Sequence, residues 1–218
     1  MISVLVVDDQ VLIRAGLAAL LRAAGLTVVG EAADGEEAVR LAVELKPDVV
    51  LMDIRMPDMD GIHATERILA TAEPPKPKVL ILTTFDLDEY VYNALRLGAS
   101  GFLLKDTPPE RVIAAIHTVA SGDILLAPTA TKRLIEAFAD PPAPAPHPQL
   151  DRLTARENEV LRLVGHALSN KEIAERLSVS EGTVKTHLNR LMAKLGLTSR
   201  AQVVVLSYDS GLVKPATG

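Results

Sequence analysis

The chain contains no cysteine, which excludes a disulfide framework and any thiolate-ligated metal centre and fits a reducing, cytoplasmic setting. It also lacks an apolar run near the roughly 18 residues that a membrane-spanning helix needs, so membrane insertion is not expected. Nor does the start look like a secretion signal. Met1-Ile2-Ser3-Val4-Leu5-Val6-Val7-Asp8-Asp9 has no basic opening and no small-residue cleavage site, and its apolar stretch ends in two carboxylates, so it reads as a buried strand. What remains is ordinary globular composition, 48% hydrophobic and 23% charged over 218 residues. That excludes disorder and collagen-like repeats and sits at the size boundary between one domain and two.

Charge divides the chain. Residues 1–150 hold 13 Lys+Arg against 21 Asp+Glu, a balance of -8, and residues 151–218 hold 10 against 7, a balance of +3, which together give the overall -5. The second part is the candidate for a polyanionic partner, although +3 alone is weak support. The division coincides with five prolines in the nine residues 140–148, a density incompatible with helix interior or central strand. Such a stretch predicts a semi-rigid spacer, rising about 3.1 Å per residue. A short helix over residues 128–138 is expected to lead into it. The resulting layout is a first domain over residues 1–122, a linker over 123–149 and a second domain over 150–218.

In the first domain, β-branched runs at residues 3–7, 28–31, 49–53, 79–83 and 101–104 alternate with amphipathic stretches at 11–24, 35–45, 62–70, 88–97 and 109–120. Asp34 and Thr107 are the expected caps of the second and fifth helices, and Gly98 the stop of the fourth. A (βα)5 pattern with short connections predicts a parallel sheet covered on both faces, with the flavodoxin-like strand order 2-1-3-4-5. The second domain shows no strand pattern. Thr154-Ala155-Arg156-Glu157, Ser169-Asn170-Lys171-Glu172 and Ser199-Arg200-Ala201-Gln202 each match a capping box, Ser180 caps a further segment, and Gly196 stops it. Four helices follow from these signals, two of them joined by a turn of helix-turn-helix length.

In an open α/β sheet, ligands bind at the carboxyl ends of the strands, near the point where strand order reverses. Asp8 and Asp9 end the first strand and Asp53 the third, so three carboxylates are expected to converge there. Hard oxygen ligands without His or Cys favour Mg²⁺. Thr83 and Lys105, at the ends of strands four and five, add a hydroxyl and an ammonium, a set suited to a phosphoryl group. Any one of these residues alone would more often be a turn, cap or surface residue, and Phe102 alone would be plain core.

Together with Asp53-Ile54-Arg55-Met56-Pro57-Asp58-Met59-Asp60-Gly61 and Phe102-Leu103-Leu104-Lys105, these residues resemble the receiver domain of a two-component response regulator. The resemblance implies that Asp53 is the phosphoacceptor for a sensor histidine kinase. It further implies that Asp8, Asp9, Asp53 and the Arg55 carbonyl hold Mg²⁺, that Thr83 and Lys105 take phosphoryl oxygens, and that Phe102 is a switch aromatic turning inward. Asp58 and Asp60 read as loop and cap, and Asp106 stands where many receivers have proline.

On a helical wheel of residues 180–195, Val184, Leu188, Leu191, Met192 and Leu195 share one face, while Thr186, Asn189 and Arg190 lie opposite with Lys185 at the border. Residues 150–212 resemble the LuxR-type helix-turn-helix, and the pairing of the two domains is that of the NarL/FixJ response regulators. By that resemblance Lys185, Thr186 and Asn189 face bases, and Asn170, Lys171, Thr183, Arg190 and Lys194 face phosphates of double-stranded DNA. The last helix carries Val203, Val204, Val205 and Leu206, half expected in the core and the rest in a dimer contact.

The expected function is a DNA-binding transcription regulator, phosphorylated on Asp53, that then forms a homodimer on paired promoter half-sites. Two other classes compete. A Mg²⁺-dependent phosphohydrolase is disfavoured because Arg55 stands where such enzymes carry a second aspartate. A phosphorylation-independent DNA-binding protein using the receiver as a dimerisation scaffold is disfavoured by the complete residue set.

Overall fold

Strands β1 (Ser3–Val7), β3 (Val49–Met52) and β4 (Lys78–Thr83) are almost continuous apolar runs, as strands buried on both faces require. The computed structural model describes residues 1–84, 88–122, 125–126 and 148–213. The helix expected over 128–138 and the prolines at 141–146 lie outside them. Between and beyond these strands come α1 (Val11–Ala23), β2 (Thr27–Ala32), α2 (Gly35–Leu45), α3 (Gly61–Thr71), α4 (Asp88–Leu97), β5 (Gly101–Leu104), α5 (Pro109–Ala120) and β6 (Leu125–Leu126). The sheet is parallel, in the order β2-β1-β3-β4-β5-β6.

The five expected strands take the expected order. β6 is an addition of two residues beside β5, too short to leave a period in the sequence. Alternate strand residues face opposite layers. Leu5, Val50, Met52, Ile81 and Phe102 join α2, α3 and α4, while Val4, Val6, Leu51, Leu80 and Leu103 join α5 through Val112 and Ile116. Asp34 caps α2 as expected, accepting from Glu37 N at 2.8 Å. Thr107 does not cap α5. Pro108 takes the N-cap position without a side-chain bond, and a proline in the first turn sets the backbone instead.

The second domain follows a 3-10 turn (Pro148–Arg152) with α6 (Ala155–Gly165), α7 (Asn170–Leu177), α8 (Glu181–Leu195) and α9 (Arg200–Asp209). All three capping boxes form, Ser180 accepts from Thr183 N, and Gly196 adopts φ 70 at the end of α8. Each such cap contributes about 1 kcal/mol. Its core of Val160, Leu161, Ile173, Val184, Leu188 and Val203 is continuous with the α3 and α4 side of the first domain.

Helix α9 packs against both α6 and α4. Ser199 Oγ donates to the Ala99 carbonyl at 3.4 Å, and Gln202 Nε2 donates to the Arg96 carbonyl at 2.9 Å. The donor-rich start of α9 thus meets the acceptor-rich end of α4, a favourable pairing of helix ends. Gly98, at φ +112, permits this approach, because a Cβ there would lie 2.8 Å from Thr198 Oγ1. Among the described residues, no helix is long and apolar enough to cross a membrane.

Candidate functional site

Adjacent parallel strands β1 and β3 end side by side, and the ladder continues past them through the bond from Asp53 N to the Val7 carbonyl at 3.0 Å. One carboxylate oxygen each from Asp8, Asp9 and Asp53 lies within 4.8 Å of the others. Asp8 and Asp53 are buried, at 1% and 4% exposure, whereas Asp9 is exposed. From the end of β5, Lys105 Nζ reaches Asp8 Oδ2 at 2.6 Å and Asp53 Oδ2 at 2.7 Å. The other oxygens are also engaged: Asp8 Oδ1 accepts from Gln10 N, and Asp53 Oδ1 from Ile54 N.

Burial pushes the Asp53 carboxyl above its ordinary value, with Lys105 opposing and Asp8 reinforcing the shift. Burial alone would lower Lys105, but its bonds to Asp53 and Asp8 outweigh that and hold it raised, hence charged. One ammonium therefore bridges the two buried carboxylates with Asp9 exposed beside them, and the three together form a donor set that fits a hard divalent cation. Thr83 supplies the opposite deficiency. It is buried at 1% exposure, its hydroxyl has no hydrogen-bond partner among the described residues, and its carbonyl accepts from Lys105 N at 2.8 Å. A buried hydroxyl left unpaired calls for an explanation, and a ligand oxygen supplies one.

Beside the carboxylates, Asp9, Ile54, Arg55, Met56, Pro57 and Asp60 line a cleft of ≈ 510 Å³. Asp60 caps α3 through His63 N at 2.8 Å. Gly61 fixes the loop that carries Asp53: its N donates to the Ile54 carbonyl at 2.8 Å, and a Cβ on it would fall 1.9 Å from the Asp53 carbonyl oxygen. The sequence motif contains Gly61, but only the close approach reveals why no side chain fits. Phe102 departs from expectation. At 1% exposure it is already packed inward beside Ile81, so no inward turn from the rim is available to it here.

In the helical domain, α8 buries Val184, Leu188, Leu191 and Leu195 and leaves Thr186, Asn189 and Arg190 exposed with Lys185 half-buried. Lys171 is exposed at the start of α7. Thr183 bonds Ser180 Oγ at 2.9 Å, and Thr186 Oγ1 donates to the Gly182 carbonyl at 2.9 Å. No hydrogen bond or ion pair among the described residues ties the receiver-like domain to the outward face of α8.

Residues 4–117 match the model of the response regulator receiver domain, and residues 151–207 that of bacterial regulatory proteins of the luxR family. The chain is 43% identical over 215 residues to the transcriptional regulatory protein YxjL of Bacillus subtilis, covering 98% of each. It is 40% identical to LiaR of the same organism, over 98% of this chain and 100% of that one. The solved structure of ChrA, the response regulator of a heme-sensing two-component system, shares 36% identity with a TM-score of 0.52, over 97% of this chain and 98% of that chain. The chain belongs to the response regulators. It is a transcriptional regulator with a receiver and a LuxR-type DNA-binding domain.

Within that regulator, one residue expected at a phosphate is buried and another, though exposed, is bonded within the protein. Asn170 is buried at 1% exposure, and its carboxamide oxygen accepts from Arg200 Nη1 at 2.6 Å. Arg200 also donates to the Leu168 carbonyl, so this pair braces the start of α7 to the start of α9. Lys194 Nζ lies 2.6 Å from Oε2 of the buried Glu157 and 3.3 Å from the Arg152 carbonyl. Glu157 and Arg200 read as capping-box members in sequence, and nothing in their spacing signalled these long-range bonds. The expected exposed half of α9 is absent as well: Val203, Val204, Val205 and Leu206 are all buried.

Proposed function

We propose that this regulator is switched by phosphotransfer from a sensor histidine kinase to Asp53. The observation that carries the reading is Lys105 bridging Asp8 and Asp53 at the same rim as the buried Thr83. An Asp53 carboxylate oxygen attacks the phosphorus of a phosphohistidine, the P–N bond breaks, and the imidazole departs with the electron pair and takes up a proton. Asp8, Asp9, Asp53 and the Arg55 carbonyl would hold Mg²⁺, which when bound neutralises phosphoryl oxygens. Lys105 and Thr83 each take one oxygen of the resulting aspartyl phosphate. Val11 and Leu12, 66% and 87% exposed at the start of α1, lie three or four residues from Asp8 and offer an apolar landing beside the site.

Phosphorylation favours a homodimer that binds paired half-sites in promoter DNA, in the cytoplasm, with Lys185, Thr186 and Asn189 at base edges and Lys171, Thr183 and Arg190 at phosphates. Phe102 acts as the packed partner of a Thr83 shift. A dimer made through α9 competes with the α4 contact, so the two domains must part for it to form. The chain turns over no external substrate and loses its own phosphoryl group by hydrolysis.

Acetyl phosphate tests the assignment. The wild type is expected to take up one acid-labile phosphoryl group per chain with Mg²⁺, and Asp53→Asn none; stoichiometric labelling of Asp53→Asn sinks it. DNA affinity unchanged by phosphorylation would favour the scaffold reading instead.

A further inference from the structure

Lys194 sits on the last turn of α8, nine residues beyond Lys185, and although its side chain is about one-third exposed, its ammonium directs two donors to other parts of the protein. One goes to Glu157, which is 3% exposed and belongs to the first turn of α6. The Glu157 carboxylate is also held by Thr154 N at 2.8 Å, and the Lys194 bond, with Thr154 assisting, lowers its pKa from the ordinary value despite burial. The other donor goes to the Arg152 carbonyl, in the turn that closes the linker. A cation committed to a buried anion has less to offer a phosphate, and moving it away would leave the buried Glu157 with its Thr154 bond but no counter-charge.

We propose that Lys194 is a positioning residue for DNA reading: by tying the end of α8 to Glu157 and to the Arg152 carbonyl, it sets the angle at which Lys185, Thr186 and Asn189 enter the groove. The lever is long enough to matter. Nine residues of helix span about 13.5 Å, so a tilt of about 5° at the Lys194 end moves the Lys185 backbone by about 1 Å. That displacement is comparable to the whole useful range of a hydrogen bond. Base contacts need that precision, whereas contacts to a flexible, uniform phosphate chain tolerate its loss. Because the same ammonium holds the turn that ends the linker, the position of the linker is felt at the reading face.

The test uses the full chain and two duplexes, one selected by the wild type from a randomised library and one of the same composition scrambled. Dissociation constants are measured against salt for Lys194→Met, Lys194→Arg, Glu157→Gln and Lys185→Met, at a temperature where circular dichroism matches the wild type. Positioning predicts that Lys194→Met and Glu157→Gln each lose about tenfold on the selected duplex, little on the scrambled one, and keep the wild-type salt slope, with Lys194→Arg restoring most of the loss. A salt slope shallower by about 0.9 in Lys194→Met, with both duplexes weakened alike and Glu157→Gln unaffected or tighter, makes Lys194 a phosphate ligand and overturns the proposal. Equal losses on both duplexes at unchanged slope reduce the pair to a stability role and overturn it too. Lys185→Met is expected to weaken the selected duplex; if it binds like the wild type, the groove-facing reading of α8 falls, and this proposal with it.

Discussion

In the receiver, the two buried carboxylates of Asp8 and Asp53 share the ammonium of Lys105, with the exposed Asp9 beside them, and the buried hydroxyl of Thr83 has no partner among the described residues. In the helical domain, the buried Glu157 has Lys194 and Thr154, and the buried Arg200 has the Asn170 carboxamide and the Leu168 carbonyl. The first region keeps more negative than positive charge at its rim, which a cation could balance. The second completes its interior and leaves polarity on the outward face of α8, where another molecule can use it. Unsatisfied buried groups thus point to a reacting site, and satisfied ones to a frame that holds a reading surface.

The comparison breaks most visibly at Lys105. Lys105→Met leaves Asp8 and Asp53 buried without a cation, which should cost the receiver about 3 kcal/mol in urea unfolding, with Mg²⁺ recovering more stability than it adds to the wild type. A loss that Mg²⁺ does not reduce would mean the carboxylates were not a cation site. Gly61→Ala is next. Its Cβ would overlap the Asp53 carbonyl, so a loss of about 1–3 kcal/mol and slower acetyl phosphate labelling are expected, against no change if the loop can simply move.

Acid titration sharpens the contrast because the two buried carboxyls shift in opposite directions. Glu157 is lowered in the folded state, so its contribution is fully present above the ordinary unfolded value of about 4.3 and is lost as pH falls through the lower folded value. Glu157→Gln should flatten the stability of the helical domain across that acid range. Asp53 is raised, so its contribution is present below the unfolded value and lost as pH rises through the folded one. Asp53→Asn should therefore stabilise the metal-free receiver at neutral pH, and a destabilised variant would contradict the account of burial. The smallest effect belongs to the seam between domains. Gln202→Ala removes the bond to the Arg96 carbonyl together with the capping bonds that Gln202 Oε1 accepts from Thr198 N and Ser199 N, a loss of about 1–2 kcal/mol, and should make the 148–152 region more accessible to limited proteolysis.

Much of this was legible in the chain. Strand runs such as residues 49–52 and boxes such as Ser169–Glu172 are local signals, and they suffice for most elements and caps, with β6 and the expected Thr107 cap as the exceptions. The carboxylates were legible because sheet topology brings strand ends together whatever the side chains between them do. The bonds of Asn170 and Lys194 were illegible for the converse reason: their partners Arg200 and Glu157 lie 30 and 37 residues away, and only tertiary packing buries Asn170 and brings Lys194 to Glu157. The burial of Val203 to Leu206 depended likewise on tertiary packing, since α9 lies against both α6 and α4.

The most direct measurement is molar mass in solution with Mg²⁺, before and after beryllofluoride, a stable mimic of the aspartyl phosphoryl group. The pocket's unmet polarity predicts a monomer of 23.3 kDa that doubles its mass in the wild type and does not in Asp53→Asn. A wild type that binds beryllofluoride yet keeps its mass would contradict the claim that completing this site drives dimerisation.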